Sequence, residues 1–183
     1  MNLNEIYQKY KVGSCYGVGS DKGTSHSYIE VYESLLSKYV GKSAMLLEIG
    51  VASGASLLMW EEYLENGTIH GIDIVQKPKL LFGHESIKYY TMNIRNRVRV
   101  ESEFGLSYFN VIIDDGSHYI SDQIFAINIL WKSLKPGGIY IVEDIIRIEN
   151  TERFKEFGAA NVFDLRKNKG RIDDILISIE KGA

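Results

Sequence analysis

The sequence predicts an α/β fold: a doubly wound, mostly parallel seven-stranded sheet covered by helices on both faces, with an antiparallel hairpin near its C-terminal end. Three observations predict it. Short apolar runs with strand character alternate with segments of helical period, and repeated strand and helix alternation implies a parallel sheet. The last part of the chain breaks that alternation with two strand-like runs in succession. At 183 residues and 45% hydrophobic content, the chain can bury a sizeable core in one domain.

Each element follows in order. Residues 1–42 read as an N-terminal segment and residues 43–183 as the core. SAMLLEIG (43–50) is an apolar run behind Gly41 and Lys42 that ends in glycine, a buried strand. ASLLMWEEYLENG (55–67) sets Leu57, Leu58, Trp60 and Leu64 near helical spacing, with Asn66 and Gly67 as a stop. TIHGIDIV (68–75) gives a second strand and SIKYYTMN (86–93) a weaker third. A polar helical stretch near 95–104 leads to NVIIDDG (110–116), the fourth strand. Ile120, Ile124, Ile127 and Trp131 then share one helix face. LKPGG (134–138) is expected to break that helix, and IYIVEDI (139–145) supplies strand five. In residues 161–181, VFDLR and DILISIEK are expected to form a hairpin joined by a glycine-containing turn.

Composition removes several function classes. The formal net charge is -3 and the basic residues are scattered, which argues against a nucleic-acid groove built on phosphate contacts. Cys15 is the single cysteine, so no internal disulfide framework or cysteine-rich metal site is expected. MNLNEIYQKYKVG is too polar for a signal peptide, and no apolar run approaches the roughly 18 residues that span a bilayer. A cytoplasmic protein without membrane contact is expected.

In a doubly wound sheet, ligands bind at the carboxyl ends of the strands. Two motifs lie there. In EIGVASGAS (48–56), small residues let the backbone approach a ligand, and the following helix presents unpaired N–H groups. Glu48 ends the first strand as a buried or half-buried acid, and Asp73 ends the second, where a carboxylate can accept bonds from two ribose hydroxyls. Gly50-x-Ala52-x-Gly54 is a weak pattern taken alone, and a tight turn without ligand is the less favoured alternative in this context. The second motif, VIIDDGSHYI, crowds Asp114, Asp115 and His118 at the end of a buried strand.

EIGVASGAS followed by GIDI resembles the S-adenosylmethionine-binding half of class I methyltransferases, and the terminal hairpin resembles their last two strands. More narrowly, GSDKGTSHSYIEVYE, LLEIGVASGASLLMW, IIDDGSHYISDQ and LKPGGIYIVEDI together resemble the metal-dependent sugar O-methyltransferases of macrolide biosynthesis, over residues 19–145. The resemblance implies a Rossmann-like methyltransferase domain over 1–183, its N-terminal helical segment covering the site. It also implies S-adenosylmethionine as cofactor. Glu48 would hold the methionine end near Gly50 and Gly54, Asp73 would bind the ribose, and Asn93 would lie near the adenine. Asp114 would serve cofactor contacts or structure. Ala52 stands where the usual motif has a glycine, which is tolerable if it avoids positive φ. The macrolide enzymes carry a further N-terminal domain that is not recognised here, so the resemblance does not carry over an acceptor.

In this topology Asp115, Glu143 and Asp144 end neighbouring strands, and their convergence suits a hard divalent cation, Mg²⁺ or Mn²⁺. Helix caps or solvated strand ends are the plainer reading of any one of them. His118, three residues past Asp115, could reach a bound hydroxyl as general base. His26 lies in the covering segment, while His70 and His84 read as structural or exposed. Asp21, Lys22, Tyr28 and Tyr32 share the covering segment, but a helix cap and an aromatic packing face explain them nearly as well. The expected reaction moves a methyl group from the sulfonium to a hydroxyl of a small molecule or glycan, a sugar or glycoside before a catechol-like diol. Two alternatives stand beside it. Gly50, Ala52, Ala55 and Asp73 weakly imitate an NAD(P)-dependent oxidoreductase, and the fold is also compatible with a non-catalytic cofactor-binding module. The aromatic N-terminal segment could join copies into a homo-oligomer.

Overall fold

The computed structural model of the chain describes residues 1–14 and 19–182, so Cys15 lies outside the described residues. Seven strands form one sheet: β1 (Met45–Ile49), β2 (Thr68–Asp73), β3 (Ile87–Thr91), β4 (Phe109–Asp114), β5 (Leu134–Val142), β6 (Ala160–Asp164) and β7 (Ile175–Glu180). Their order is β3-β2-β1-β4-β5-β7-β6. The first five pair in parallel, and β7 pairs antiparallel with both β5 and β6. The helices are α1 (Leu3–Tyr10), α2 (Ile29–Leu36), α3 (Ala55–Leu64), α4 (Arg97–Glu103), α5 (Ile120–Leu130) and the short α6 (Arg166–Lys169). No helix among the described residues is long and apolar enough to cross a membrane.

The period of two along each strand divides the core. Leu46, Val111, Ile113, Ile139, Ile141 and Leu176 face α1, α2 and α3, where they meet Leu3, Tyr32 and Trp60. Leu47, Ile49, Ile112, Tyr140 and Val142 face the other way, onto Val100 of α4 and Ala126, Ile127 and Leu130 of α5. Both faces are therefore apolar, which is why the central strands read as continuous hydrophobic runs. The segment expected to cover the site is helical at both ends. Helix α1 starts with a capping box in which Asn2 and Glu5 satisfy each other's backbone N–H groups.

Register places the site. Strand order reverses at β1, which has β2 on one side and β4 on the other. Ile49 pairs with Ile72 and with Asp114, and Asp114 pairs with Val142. The loops after β1, β2, β4 and β5 thus leave the sheet along one rim, at the topological switch point where this architecture opens a crevice.

One expectation about the elements is corrected. LKPGG does not merely end a helix: α5 stops at Leu130, a 3₁₀ turn covers Trp131–Ser133, and LKPGG forms the first half of β5. Gly137 takes φ 72, and the β4–β5 register shifts between Phe109 and Val111, so the strand bends and continues. Gly137 N–H donates to Lys181 O (2.7 Å) and Lys181 N–H to Gly138 O (2.9 Å), which ties this stretch to the end of β7. The hairpin is present, with the glycine in its connection. The connection runs through residues 165–174 and contains α6 and Gly170 (φ 71). Lys169 leaves that connection to donate to the carbonyls of Gly23 (2.6 Å) and His26, clamping the N-terminal segment.

Candidate functional site

The loop between β1 and α3 is shaped by close approach. Gly50 has φ 84, and a Cβ there would lie 2.0 Å from the carbonyl oxygen of Asp115. No other residue fits that contact. Gly54, at φ 91, caps the N-terminus of α3. Ala52 does not avoid positive φ as its tolerance was expected to require: it sits at φ 48. Asp73 explains how the loop is held there, because its Oδ2 accepts from Val51 N–H (2.8 Å) and Ala52 N–H (3.0 Å). The carboxylate at the end of β2 thus has a structural task the sequence did not disclose.

A cavity of about 790 Å³ lies beneath this loop, lined by Gly50, Ala52, Asp73, Asn93 and Asp114 on one side and by Asp115, His118 and Asp144 on the other. Asn93 Oδ1 accepts from Arg95 N–H (2.8 Å). Asp114 is 3% exposed; one oxygen accepts from Gly116 N–H (3.3 Å) and the other has no partner. Burial pushes its pKa up to about 7, with Asp115 and Asp122 adding to the effect.

Gly54, whose Cβ position is closed by Leu81 at 2.8 Å, is not among the lining residues, and neither is Glu48. The alternation of β1 turns it to the same side as Leu46, toward α3, where it is fully buried. Its Oε2 accepts from Trp60 Nε1 (3.0 Å), and its Oε1 lies 3.2 Å from Lys22 Nζ. The carboxylate expected to face a cofactor's methionine end thus holds Trp60 and Lys22 in this structure. Glu143 is likewise absent from the cavity wall. Its Oε1 accepts from Lys22 Nζ (2.6 Å) and from the Tyr32 hydroxyl, and Gln123 donates to its backbone carbonyl (2.9 Å).

Asp115, His118 and Asp144 do converge. Each can offer a ligand atom with all three atoms within 4.8 Å of one another. His118 Nδ1 lies 3.3 Å from Asp144 Oδ2 and has no hydrogen-bond partner, while Asp144 Oδ1 accepts from the Tyr28 hydroxyl (2.7 Å). Burial raises the Asp144 pKa, Asp115 raises it further, and His26, Tyr28 and His118 oppose the shift. Two carboxylates and an unpartnered ring nitrogen facing one point form a donor set that fits a hard divalent cation. Glu48, Asp115 and Glu143 form a second such group, sharing Asp115 with the first.

Sequence reasoning undervalued the covering segment. Lys22 is 1% exposed and donates to Asp115 Oδ2 (2.6 Å) as well as Glu143. Burial opposes its charge, but Asp115, Glu143 and Glu48 together hold its pKa well above the ordinary value. Tyr28 and Tyr32 pack in the core and spend their hydroxyls on Asp144 and Glu143. His26 stacks on Tyr28 (4.8 Å) and places Nδ1 3.3 Å from Asp144 Oδ1. The usable signal was the count of acids at strand ends, since so many buried carboxylates need a buried counter-charge. His70 and His84 are elsewhere, as expected. His70 packs among Tyr90, Phe104, Tyr108 and Phe109, and burial pulls its pKa down to about 4; His84 pairs with Glu61 (2.6 Å).

Comparison with known proteins follows this geometry. A family model described as a methyltransferase domain matches residues 47–145. The chain is 31% identical over 163 residues to the 8-demethyl-8-alpha-L-rhamnosyl tetracenomycin-C 2'-O-methyltransferase of Streptomyces olivaceus, covering 83% of this chain and 41% of that protein. It is similar to MycE methyltransferase from the mycinamycin biosynthetic pathway, solved in complex with Mg, SAH and mycinamycin VI, at TM-score 0.66 and 26% identity over 79% of this chain and 37% of that one. A second MycE structure, with Mg and SAH, matches at TM-score 0.75 and 21% identity over 100% of this chain and 55% of that one, a likeness of fold. The chain thus spans well under two thirds of the length of the relatives it matches.

Proposed function

Because the chain belongs to the methyltransferase-domain family, we propose that it is an S-adenosylmethionine-dependent, divalent-cation-assisted O-methyltransferase acting on a hydroxyl of a sugar or glycoside. One observation carries this reading: a single cavity joins the glycine loop and Asp73 to Asp115, His118 and Asp144. A cofactor-binding end and a proton- and cation-handling end therefore share one space. The MycE complex with Mg, SAH and mycinamycin VI supports a cation and a cofactor in one methyltransferase, and the scattered basic residues suit a small-molecule or glycan acceptor over a nucleic acid.

S-adenosylmethionine supplies an activated methyl group, and a divalent cation supplies positive charge that acidifies a nearby hydroxyl. The chain's residues do the rest. Gly50, Ala52 and Ser53 would give close backbone approach to the cofactor, Asp73 would accept from its ribose, and Asn93 would lie toward its adenine. Asp114, with one oxygen free of partners, adds an acceptor in the same half of the cavity. Asp115 and Asp144 would hold the cation, with Glu143 behind them and Lys22 between. His118 would take the acceptor's proton as the acceptor oxygen takes the methyl group, with Asp144 3.3 Å from its ring. Glu48 acts indirectly by fixing Lys22 and Trp60.

Calorimetric titration tests the reading. S-adenosylmethionine and S-adenosylhomocysteine should each bind one per chain, and NAD should not. Asp73→Ala should weaken both by about 1.5–3 kcal/mol, the loss expected for bonds to a charged acceptor. Binding of NAD in place of the sulfonium would assign the cavity to an oxidoreductase.

A further inference from the structure

We propose that Lys22 is a tethered cation that competes with the divalent ion for the carboxylates of the site and so sets how tightly that ion is held. The inference rests on the cation-assisted reading above. Lys22 belongs to the covering segment, not to the sheet, yet its ammonium lies 2.6 Å from both Asp115 and Glu143 and 3.2 Å from Glu48. Those acids come from the ends of β1, β4 and β5, so the segment supplies the positive charge that all three strand ends lack. Asp115 is common to two of the three ligand groups among the described residues, the open one with His118 and Asp144 and the closed one with Glu48 and Glu143, while His26, Asp144 and Asp173 form the third. An ammonium in the closed group draws on the carboxylate that the open group needs.

Like charges a few ångströms apart in a partly desolvated site repel strongly. Occupancy of one position must therefore weaken the other. The same acids also anchor the segment through the hydroxyls of Tyr28 and Tyr32. Cation binding and the docking of residues 19–32 are consequently linked, and by reciprocity each opposes the other.

The test is Mn²⁺ titration of the full chain, with free Mn²⁺ read by electron paramagnetic resonance. Lys22→Met keeps the buried stem and removes the charge, and should bind Mn²⁺ about tenfold more tightly or better, while Lys22→Arg should stay within about threefold of the wild type. Affinity in Lys22→Met that is unchanged or weaker overturns the proposal. If that variant does not fold, acetic anhydride labelling of Lys22 in the wild type decides, read by mass spectrometry. Mn²⁺ should speed it about threefold or more, by weakening the ammonium's hold. Labelling left unchanged or slowed overturns the proposal. Wild type that binds no Mn²⁺ beside a Lys22→Met that does would refute the cation reading of the native site yet support the role of Lys22. No binding by either refutes both.

Discussion

His118 and Asp144 both hold left-handed backbone, at φ 59 and φ 54, in a chain where such values otherwise belong mostly to glycine. Side chains with a Cβ cost roughly 1–2 kcal/mol there. The pair faces one cavity across 3.3 Å, which is what strain at a working site looks like when the surroundings impose it. If His118 removes the acceptor proton, His118→Ala should lower the single-turnover rate of methyl transfer by about 10²–10⁴-fold and leave S-adenosylmethionine affinity intact. A loss below about threefold would leave His118 without a role in proton transfer. Asp73, Asn93, Asp114, Asp115, His118 and Asp144 were legible because strand ends in this architecture point at ligands, and all of them line the cavity. Glu48 and Glu143 were legible as acids at the rim but not in direction. Their partner Lys22 lies far from both in sequence, and a lysine ahead of a helix ordinarily reads as solvated.

Among the elements, the loop after β1 is the one that a single atom can break. Gly50→Ala would drive a methyl group into the Asp115 carbonyl, and the loop and the β4 end would have to part. That substitution should cost about 2–4 kcal/mol, seen as a lower urea midpoint. Ala52→Gly should go the other way: it relieves a φ of 48, and after the entropy glycine adds to the unfolded chain the net gain should be up to about 1 kcal/mol. Destabilisation by Ala52→Gly would mean that the loop does not hold that backbone. Strands β1, β2 and β4 could be read because buried parallel strands are uninterrupted apolar runs, and α3 because its apolar residues keep helical spacing. LKPGG could not be read as strand. Proline and two glycines look like a breaker, and only pairing of Gly137 and Gly138 with Lys181 shows a bent strand that continues. The connection after β6 could be read from Gly170, but not its short helix α6, whose four residues carry no apolar face.

At the scale of the molecule, one sheet with its order reversed at β1 sets two chemistries on one rim. On the proposed reading, the β1 and β2 ends would take a nucleoside, and the β4 and β5 ends a cation and a proton. The N-terminal segment docks on the acids after β4 and β5 through Lys22, Tyr28 and Tyr32. This division predicts that the two halves fail separately. The most direct test is methyl transfer from S-adenosylmethionine to a glycoside hydroxyl, measured before chelation, after exhaustive EDTA treatment, and after return of Mg²⁺ or Mn²⁺. Transfer should fall to background on chelation and recover with either ion, while calorimetric binding of S-adenosylmethionine persists throughout. Transfer that survives exhaustive chelation undiminished would contradict the account, leaving Asp115 and Asp144 as structural acids held by Lys22 and Tyr28 alone.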